Sequence, residues 1–378
     1  AANAWPKVKQ VAQDFHLQIV APALNFTGDK VGDRVWEPFA WYDEFFRLVH
    51  DACIDYLCFH SYMNYYSAVN WVASEYFYTE KEENDLFHSA NREKYPHLVK
   101  YLEDYKSAHG HFPRMFLTEF CSYQGNEYPY TSGITLDFQI DQMTQKLQKL
   151  EQSELVAGYA WFMGNIAKGA SEWPYMSIFQ TNSASSDLST LGKVYVHMSP
   201  FDTNKYYAPG EQIQAKDYVD ASLDNQQVKI RPNTEIGSPL PLQVEFPANA
   251  WTVYQIDVPS AGDYQLTLSL KTAAEGSLWM DIDQNRKWAK CALPGTAGQW
   301  QQQSCTLTLS AGRHQLRLFN AAATSVFINS LQMDIPSGIA SPAIAKAETT
   351  VYYNLRGQRL TAPQKGINII GGKKVIVK

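Results

Sequence analysis

Two kinds of hydrophobic pattern divide the chain. Up to about residue 200, short continuous apolar runs alternate with longer stretches whose apolar positions recur three and four apart. The runs read as buried strands and the stretches as amphipathic helices. Trp5, Val8, Val11 and Ala12 have helical spacing, and Leu17 to Ala23 predicts a short buried strand. Pro38 suits a first helical turn, which Phe39, Tyr42, Phe45, Phe46 and Val49 continue. A second strand, Ile54 to His60, runs into Ser61-Tyr62-Met63. Leu98, Tyr101, Leu102 and Tyr105 share one face of a helix from Tyr95 to His109. A third strand follows Pro113 and ends in Glu119-Phe120. A long helix from Thr135 to Leu155, a strand from Val156 to Phe162 and a helix from Ser189 to Met198 complete the series. Strands alternating with helices in this way predict a parallel sheet.

From about Tyr207 the helical faces vanish and Pro, Gly, Gln and Thr become frequent. Alternating runs appear at 252–256, 264–268, 278–282, 306–309, 315–318 and 326–328, separated by turn residues such as Pro259-Ser260-Ala261-Gly262-Asp263. They predict an antiparallel β-sandwich. Pro336 to Ala347 is a linker of small residues, and Val351 to Lys378 is a third unit of short strands, too small for a sizeable core of its own. The expected domains are therefore 1–204, 205–336 and 337–378.

Composition narrows the function. A length of 378 residues allows two or three domains, and an apolar content of 45% allows a large core. A formal charge of −6 offers no basic footprint for nucleic acid. Aromatics reach 13%, with 23 Tyr and 10 Trp, which suits sugar-binding surfaces and ordinary cores alike. No apolar run approaches membrane-spanning length. The opening Ala-Ala-Asn-Ala-Trp has neither Met nor a signal peptide, as in a processed, trimmed or incomplete chain. Five cysteines (Cys53, Cys58, Cys121, Cys291, Cys305) are too scattered for a zinc site. Cys291 and Cys305 could pair across two sandwich strands, which would fit an oxidising compartment, but spacing alone leaves the pairing open.

The candidate chemistry gathers where strands hand over to loops. Glu119 ends an apolar run, at the position where barrel enzymes carry catalytic groups. The other reading is a strand-end carboxylate that caps a helix or pairs with an Arg. His60 and Tyr62 follow the preceding strand, Asn25 lies just past the first, and Trp161 ends the fourth. His60 is either a ligand of the sugar or nucleophile or a satisfied barrel histidine. Trp161 is either a stacking platform or core filling. Tyr65, Tyr66 and Trp71 either line the cleft or pack their loop, and Glu127 and Glu172 read as solvated loop charges.

The segments Ile19-Val-Ala-Pro-Ala-Leu, Trp41-Tyr-Asp-Glu-Phe-Phe, Ile54-Asp-Tyr-Leu-Cys-Phe-His-Ser-Tyr62, Phe116-Leu-Thr-Glu-Phe120, Tyr159-Ala-Trp-Phe-Met163 and Leu191-Gly-Lys-Val-Tyr-Val-His-Met-Ser199, in that order, resemble glycoside hydrolase family 128. The resemblance covers about residues 1–200 and implies a retaining endo-β-1,3-glucanase on a (β/α)8 barrel. It places the nucleophile at Glu119. It also implies an acid/base Glu in an Asn-Glu-Pro motif, which this sequence lacks. The expected fold class is thus α/β, the C-terminal half of a barrel, followed by a β-sandwich and a small β tail.

The sandwich segments Gln212 to Tyr218, Val258 to Leu266, Gly298 to Gln301 and Leu309 to Leu316 resemble a family 6 carbohydrate-binding module. That resemblance implies a glycan cleft built from Trp300, Asn329 and, more loosely, Tyr254, the alternative being a spacer with a buried Trp300. It also implies a structural calcium held partly by a Glu, but Lys216 stands at that position, so no cofactor is expected with calcium left in doubt. The tail, Val351 to Arg359 and Lys365 to Lys378, resembles a type IX secretion sorting domain, or else is an added hairpin. The sorting reading implies contact with secretion machinery and a secreted or cell-surface location. A monomer acting on β-glucan, without nucleic acid, is the expectation.

Overall fold

The computed structural model describes residues 1–25, 30–31, 34–35, 38–62, 89–121, 134–164, 175–183, 185–198, 202–222, 227–233 and 240–335, and in the terminal unit 352–354, 359–360, 365–370 and 373–377. Residues Ala1–Asp334 form one compact unit and Ile335–Lys378 a second.

The first unit opens with a 3-10 turn (Ala2–Ala4) and α1 (Trp5–Asp14). The predicted strand over Leu17 to Ala23 is instead an extended segment with a single bridge, Val20 to Tyr56. Ladder pairing begins only at β1 (Leu24–Asn25). Pro22 accounts for the shift, since it has no N–H to give a ladder. Its carbonyl and that of Cys58 each lie 3.0 Å from the hydroxyl of the wholly buried Tyr42. A small hairpin, β2 (Lys30–Val31) and β3 (Arg34–Val35), leads to α2 (Pro38–Leu48). Then come β4 (Tyr56–Tyr62), α3 (Ser89–Lys94), α4 (Pro96–His109), β5 (Arg114–Cys121), α5 (Leu136–Gln152), β6 (Val156–Trp161) and α6 (Thr190–Met198). The short α3 has no counterpart in the apolar pattern. Thr135 accepts from the N–H of Phe138 and caps α5, and Ser189 accepts from that of Gly192 and caps α6.

β1, β4, β5 and β6 form a parallel sheet in that order. Leu57, Phe59, Met115, Leu117 and Phe120 are buried in it, as strands covered on both faces require. Helix α6 approaches its neighbour so closely that a Cβ at Gly192 would lie 2.1 Å from the Ile178 carbonyl oxygen. Gly192→Ala is expected to destabilise the fold by about 2 kcal/mol through overpacking, read as a lower urea midpoint. An unchanged midpoint would mean that α6 sits further out.

The sandwich comprises β7 (Gln212–Gln214), β8 (Asp220–Ala221), β9 (Lys229–Pro232), β10 (Leu242–Phe246), β11 (Trp251–Val258), β12 (Gly262–Thr272), β13 (Gly276–Ile282), β14 (Ala289–Leu293), β15 (Gln301–Leu309), β16 (Gly312–Asn320) and β17 (Val326–Asp334). One sheet runs β15-β12-β17-β10-β9 with β7 also on β17, and the other β14-β13-β16-β11-β8. Among the described residues the ladders between sandwich strands are antiparallel, as the alternation predicts. Val244, Phe246, Ile256, Leu266, Leu268, Leu278, Met280, Leu316, Leu318 and Ile328 fill the space between the sheets. Cys291 and Cys305 form a disulfide with Cα atoms 5.6 Å apart. It joins the edge strands β14 and β15 of the two sheets, which closes the pairing that spacing left open.

The sandwich meets the α/β region along α5. Arg231 on β9 grips Asp141 with two hydrogen bonds, of 2.6 and 3.2 Å. Gln148 donates to the Lys216 carbonyl at 3.2 Å. Bidentate Arg–carboxylate geometry fixes orientation as well as supplying energy.

The terminal unit is a four-stranded antiparallel sheet of β18 (Tyr352–Asn354), β19 (Arg359–Leu360), β20 (Gly366–Ile370) and β21 (Lys373–Val377), in the order β19-β18-β20-β21. Among the described residues no helix is long and apolar enough to cross a membrane.

Candidate active site and glycan-binding surfaces

Register brings three of the singled-out positions into one row. Asn25 on β1 pairs with His60 on β4, and His60 pairs with Glu119 on β5. All three positions lie toward the C-terminal ends of parallel strands, the end at which barrel enzymes carry their catalytic groups. The ladder shifts between Phe59 and His60 and again between Leu117 and Phe120. Such irregularities re-aim side chains next to functional sites. Here Leu117 and Phe120 both stay buried although three residues apart, while Thr118 is exposed and Glu119 half-buried.

Nδ1 of His60 lies 3.3 Å from Oε2 of Glu119, with the two side chains 21% and 31% exposed. Burial lowers the pKa of His60 below its ordinary value, and the Glu119 charge opposes that only in part. A neutral imidazole protonated on Nδ1 can donate to the carboxylate and hold it in one orientation. Stability tied to this group is fully present above the unfolded pKa of about 6.5 and is lost as pH falls through the lower folded pKa. His60→Gln is expected to flatten that part of the stability–pH curve, read by urea denaturation between pH 5 and 7. An identical slope in wild type and variant would show that His60 is not held neutral.

Two thiols flank the pair. Cys58 has its Sγ 3.3 Å from the Thr118 hydroxyl, and burial raises its pKa. Burial first, then the Glu119 charge, raises that of Cys121 well above the ordinary value. Both stay protonated at neutral pH and do not compete as nucleophiles. Nothing in the local sequence signals the Cys58–Thr118 contact, which only the strand register creates.

Tyr62 is the last residue of β4, opposite Cys121. Trp161 resolves to core filling: it is 7% exposed, its Nε1 donates to the Met176 carbonyl at 2.8 Å, and its ring meets Phe120 edge-on at 5.1 Å. It offers no open face to a sugar. Tyr65, Tyr66, Trp71, Glu127 and Glu172 lie outside the described residues.

In the sandwich the expected glycan triad does not assemble. Tyr254 is wholly buried and donates to the Ala215 carbonyl at 2.7 Å, because its position on β11 faces the opposite sheet. Asn329 is 1% exposed and spends its amide on the carbonyls of Leu242 and Leu240, at 3.1 and 3.4 Å. It fastens β10 instead of facing solvent. Trp300 is half-buried, with the Lys271 ammonium 5.1 Å from its ring centre.

A different aromatic surface was missed. Cross-strand register sets Trp279 on β13, Phe319 on β16 and Trp251 on β11 in one line. Trp288 joins them, 6.0 Å from Trp279 and 5.8 Å from Phe319. All four are half-buried. The Arg317 guanidinium lies 4.9 Å from the Trp288 ring and bonds Asp281, which is wholly buried, at 2.5 Å. Half-open indole faces braced by a fixed guanidinium can stack on the apolar faces of pyranose rings. The alternate placing of Trp279 and Asp281 was the available signal.

Lys216, at the position of the implied calcium-binding Glu, is 4% exposed and pairs with Asp217 at 2.5 Å. An ammonium in that place does not fit a calcium ion. No group of three or more His, Cys, Asp or Glu suited to a metal occurs among the described residues.

Compared with known proteins, residues 1–82 and 87–195, just over half of the 378, match the family model described as glycosyl hydrolase catalytic core. No curated protein matches the chain. Among solved structures, the C-terminal CBM6 of LamC, a marine laminarinase from Zobellia galactanivorans, is 24% identical, covering 33% of this chain and 98% of that one, with a TM-score of 0.29. A CBM6 from Cellvibrio mixtus lichenase 5A in complex with cellotriose is 23% identical over 34% and 98%, with a TM-score of 0.30. A β-1,3-glucan-binding CBM6 from Bacillus halodurans is 13% identical over 35% and 100%, with a TM-score of 0.31.

Proposed function

Because this chain belongs to the glycosyl hydrolase catalytic-core family, we propose that it is part of a secreted retaining endo-β-1,3-glucanase, with Glu119 as nucleophile and His60 as the group that orients it. The observation that carries the reading is the Glu119–His60 pair, 3.3 Å apart at the ends of adjacent parallel strands. The sequence likeness to family 128, together with this pair, supports taking the four-stranded sheet as half of a (β/α)8 barrel. Asn25, in the same row, and Tyr62, two residues beyond His60 on β4, are proposed sugar ligands.

In a retaining reaction one carboxylate attacks the anomeric carbon while a carboxylic acid about 5–5.5 Å away protonates the leaving oxygen. The covalent glycosyl-enzyme is then hydrolysed by water activated by that second group. Glu119 fills the first role; no second acid is assigned among the described residues. The sandwich is proposed to hold the polysaccharide on the Trp279–Trp288–Phe319 surface. The Cys291–Cys305 disulfide suits export to an oxidising compartment, and the terminal sheet is the proposed sorting tail. Release of reducing ends from a linear β-1,3-glucan by the complete gene product tests the reading. Affinity without release would favour a second reading, a glucan-binding surface protein, which the same aromatic surface supports.

A further inference from the structure

We propose that the Lys216 ammonium does the work of the structural calcium ion that the sandwich's family likeness implies, so that this domain folds without metal. Calcium takes six to eight oxygen ligands, carboxylates foremost. Here the side chain at the implied ligand position is itself a cation, 4% exposed and 2.5 Å from Oδ1 of Asp217. The other oxygen of Asp217 accepts from the Tyr207 hydroxyl at 3.1 Å. A buried charge persists only when paired and hydrogen-bonded, and this carboxylate is already shared between an ammonium and a phenol. A divalent ion at the same place would have to displace a tethered positive charge.

The turn a metal would brace is braced by the chain itself. The Asp217 N–H donates to the Gln214 carbonyl at 2.9 Å, and the Ala215 N–H to that of Asn329 at 3.0 Å. Tyr254 donates to the Ala215 carbonyl, and Gln148 of α5 to the Lys216 carbonyl. The same turn therefore receives the α/β region, and the internal cation makes that docking independent of calcium supply.

Thermal unfolding of the full chain, in chelator and in millimolar calcium, tests this without reference to glucan hydrolysis. The wild-type midpoint is expected to agree between the two buffers to within about 1 °C, against shifts of several degrees that loss of a structural ion would cause. Lys216→Glu, which places two carboxylates side by side, is expected to lower the midpoint in chelator by about 5 °C or more. Calcium is expected to return most of that loss. A wild-type midpoint that rises with calcium, or purified protein carrying one calcium per chain, would overturn the proposal. So would a folded Lys216→Glu variant indifferent to calcium, which would reduce Lys216 to an ordinary ion pair. Should that variant not fold, the wild-type comparison decides alone.

Discussion

Glu119→Gln is expected to lower β-1,3-glucan hydrolysis by the complete gene product roughly 10⁴-fold or more, the scale on which losing a covalent catalytic group acts. Glutamine keeps the shape of the side chain but cannot attack the anomeric carbon as an anion. The effect should fall on kcat, with glucan affinity and the unfolding midpoint close to wild type. His60 should remain in place, because a Gln carbonyl can still accept from Nδ1 across the 3.3 Å gap. Steady-state assay of released reducing ends, beside a binding isotherm for each protein, makes the distinction. Activity within a few-fold of wild type would remove Glu119 from the reaction and leave the row Asn25–His60–Glu119 a structural feature.

The second large effect concerns stability. Arg317→Met is expected to cost the sandwich about 3–5 kcal/mol, because it strands a buried carboxylate. Asp281 is wholly buried, and its partners are the Arg317 guanidinium at 2.5 Å and the Arg286 N–H at 3.0 Å. With the guanidinium gone, one N–H cannot balance the charge. The Trp288 ring also loses its cation, so a glucan-binding defect should accompany the loss. Urea unfolding followed by tryptophan fluorescence measures the cost. Adding Asp281→Asn to Arg317→Met should recover part of it, because the stranded charge disappears. A single variant within about 1 kcal/mol of wild type would indicate an ion pair no better than an exposed one.

Much of the fold was legible along the chain. The alternation in Thr252 to Ile256 and Tyr264 to Leu268 marks strands because one face of each meets the other sheet. The strand order in the parallel sheet follows the chain because each βα unit adds its strand beside the last. Leu242 to Phe246 alternates just as clearly, but Pro239, Pro241 and Pro247 around it mask the strand signal. Tyr254 and Asn329 failed as glycan ligands for one reason. Residue type says what a side chain can do, but the sheet opposite decides whether it meets a sugar or a carbonyl.

Sequence by itself thus determined most of the elements, their order, a glycosyl hydrolase core and a carboxylate at a strand end, all of which depend on near neighbours and periodicity. Tertiary structure decided what faces what. It set His60 against Glu119 through ladder shifts between strands about sixty residues apart. It joined Cys291 to Cys305 by laying two sheet edges together. It buried Trp161 and Tyr254, raised the Trp279–Phe319–Trp251 line and placed Lys216 against Asp217. Burial and pairing of this kind arise only when distant segments pack, because desolvation depends on every surface that closes over a group and not on the residues beside it.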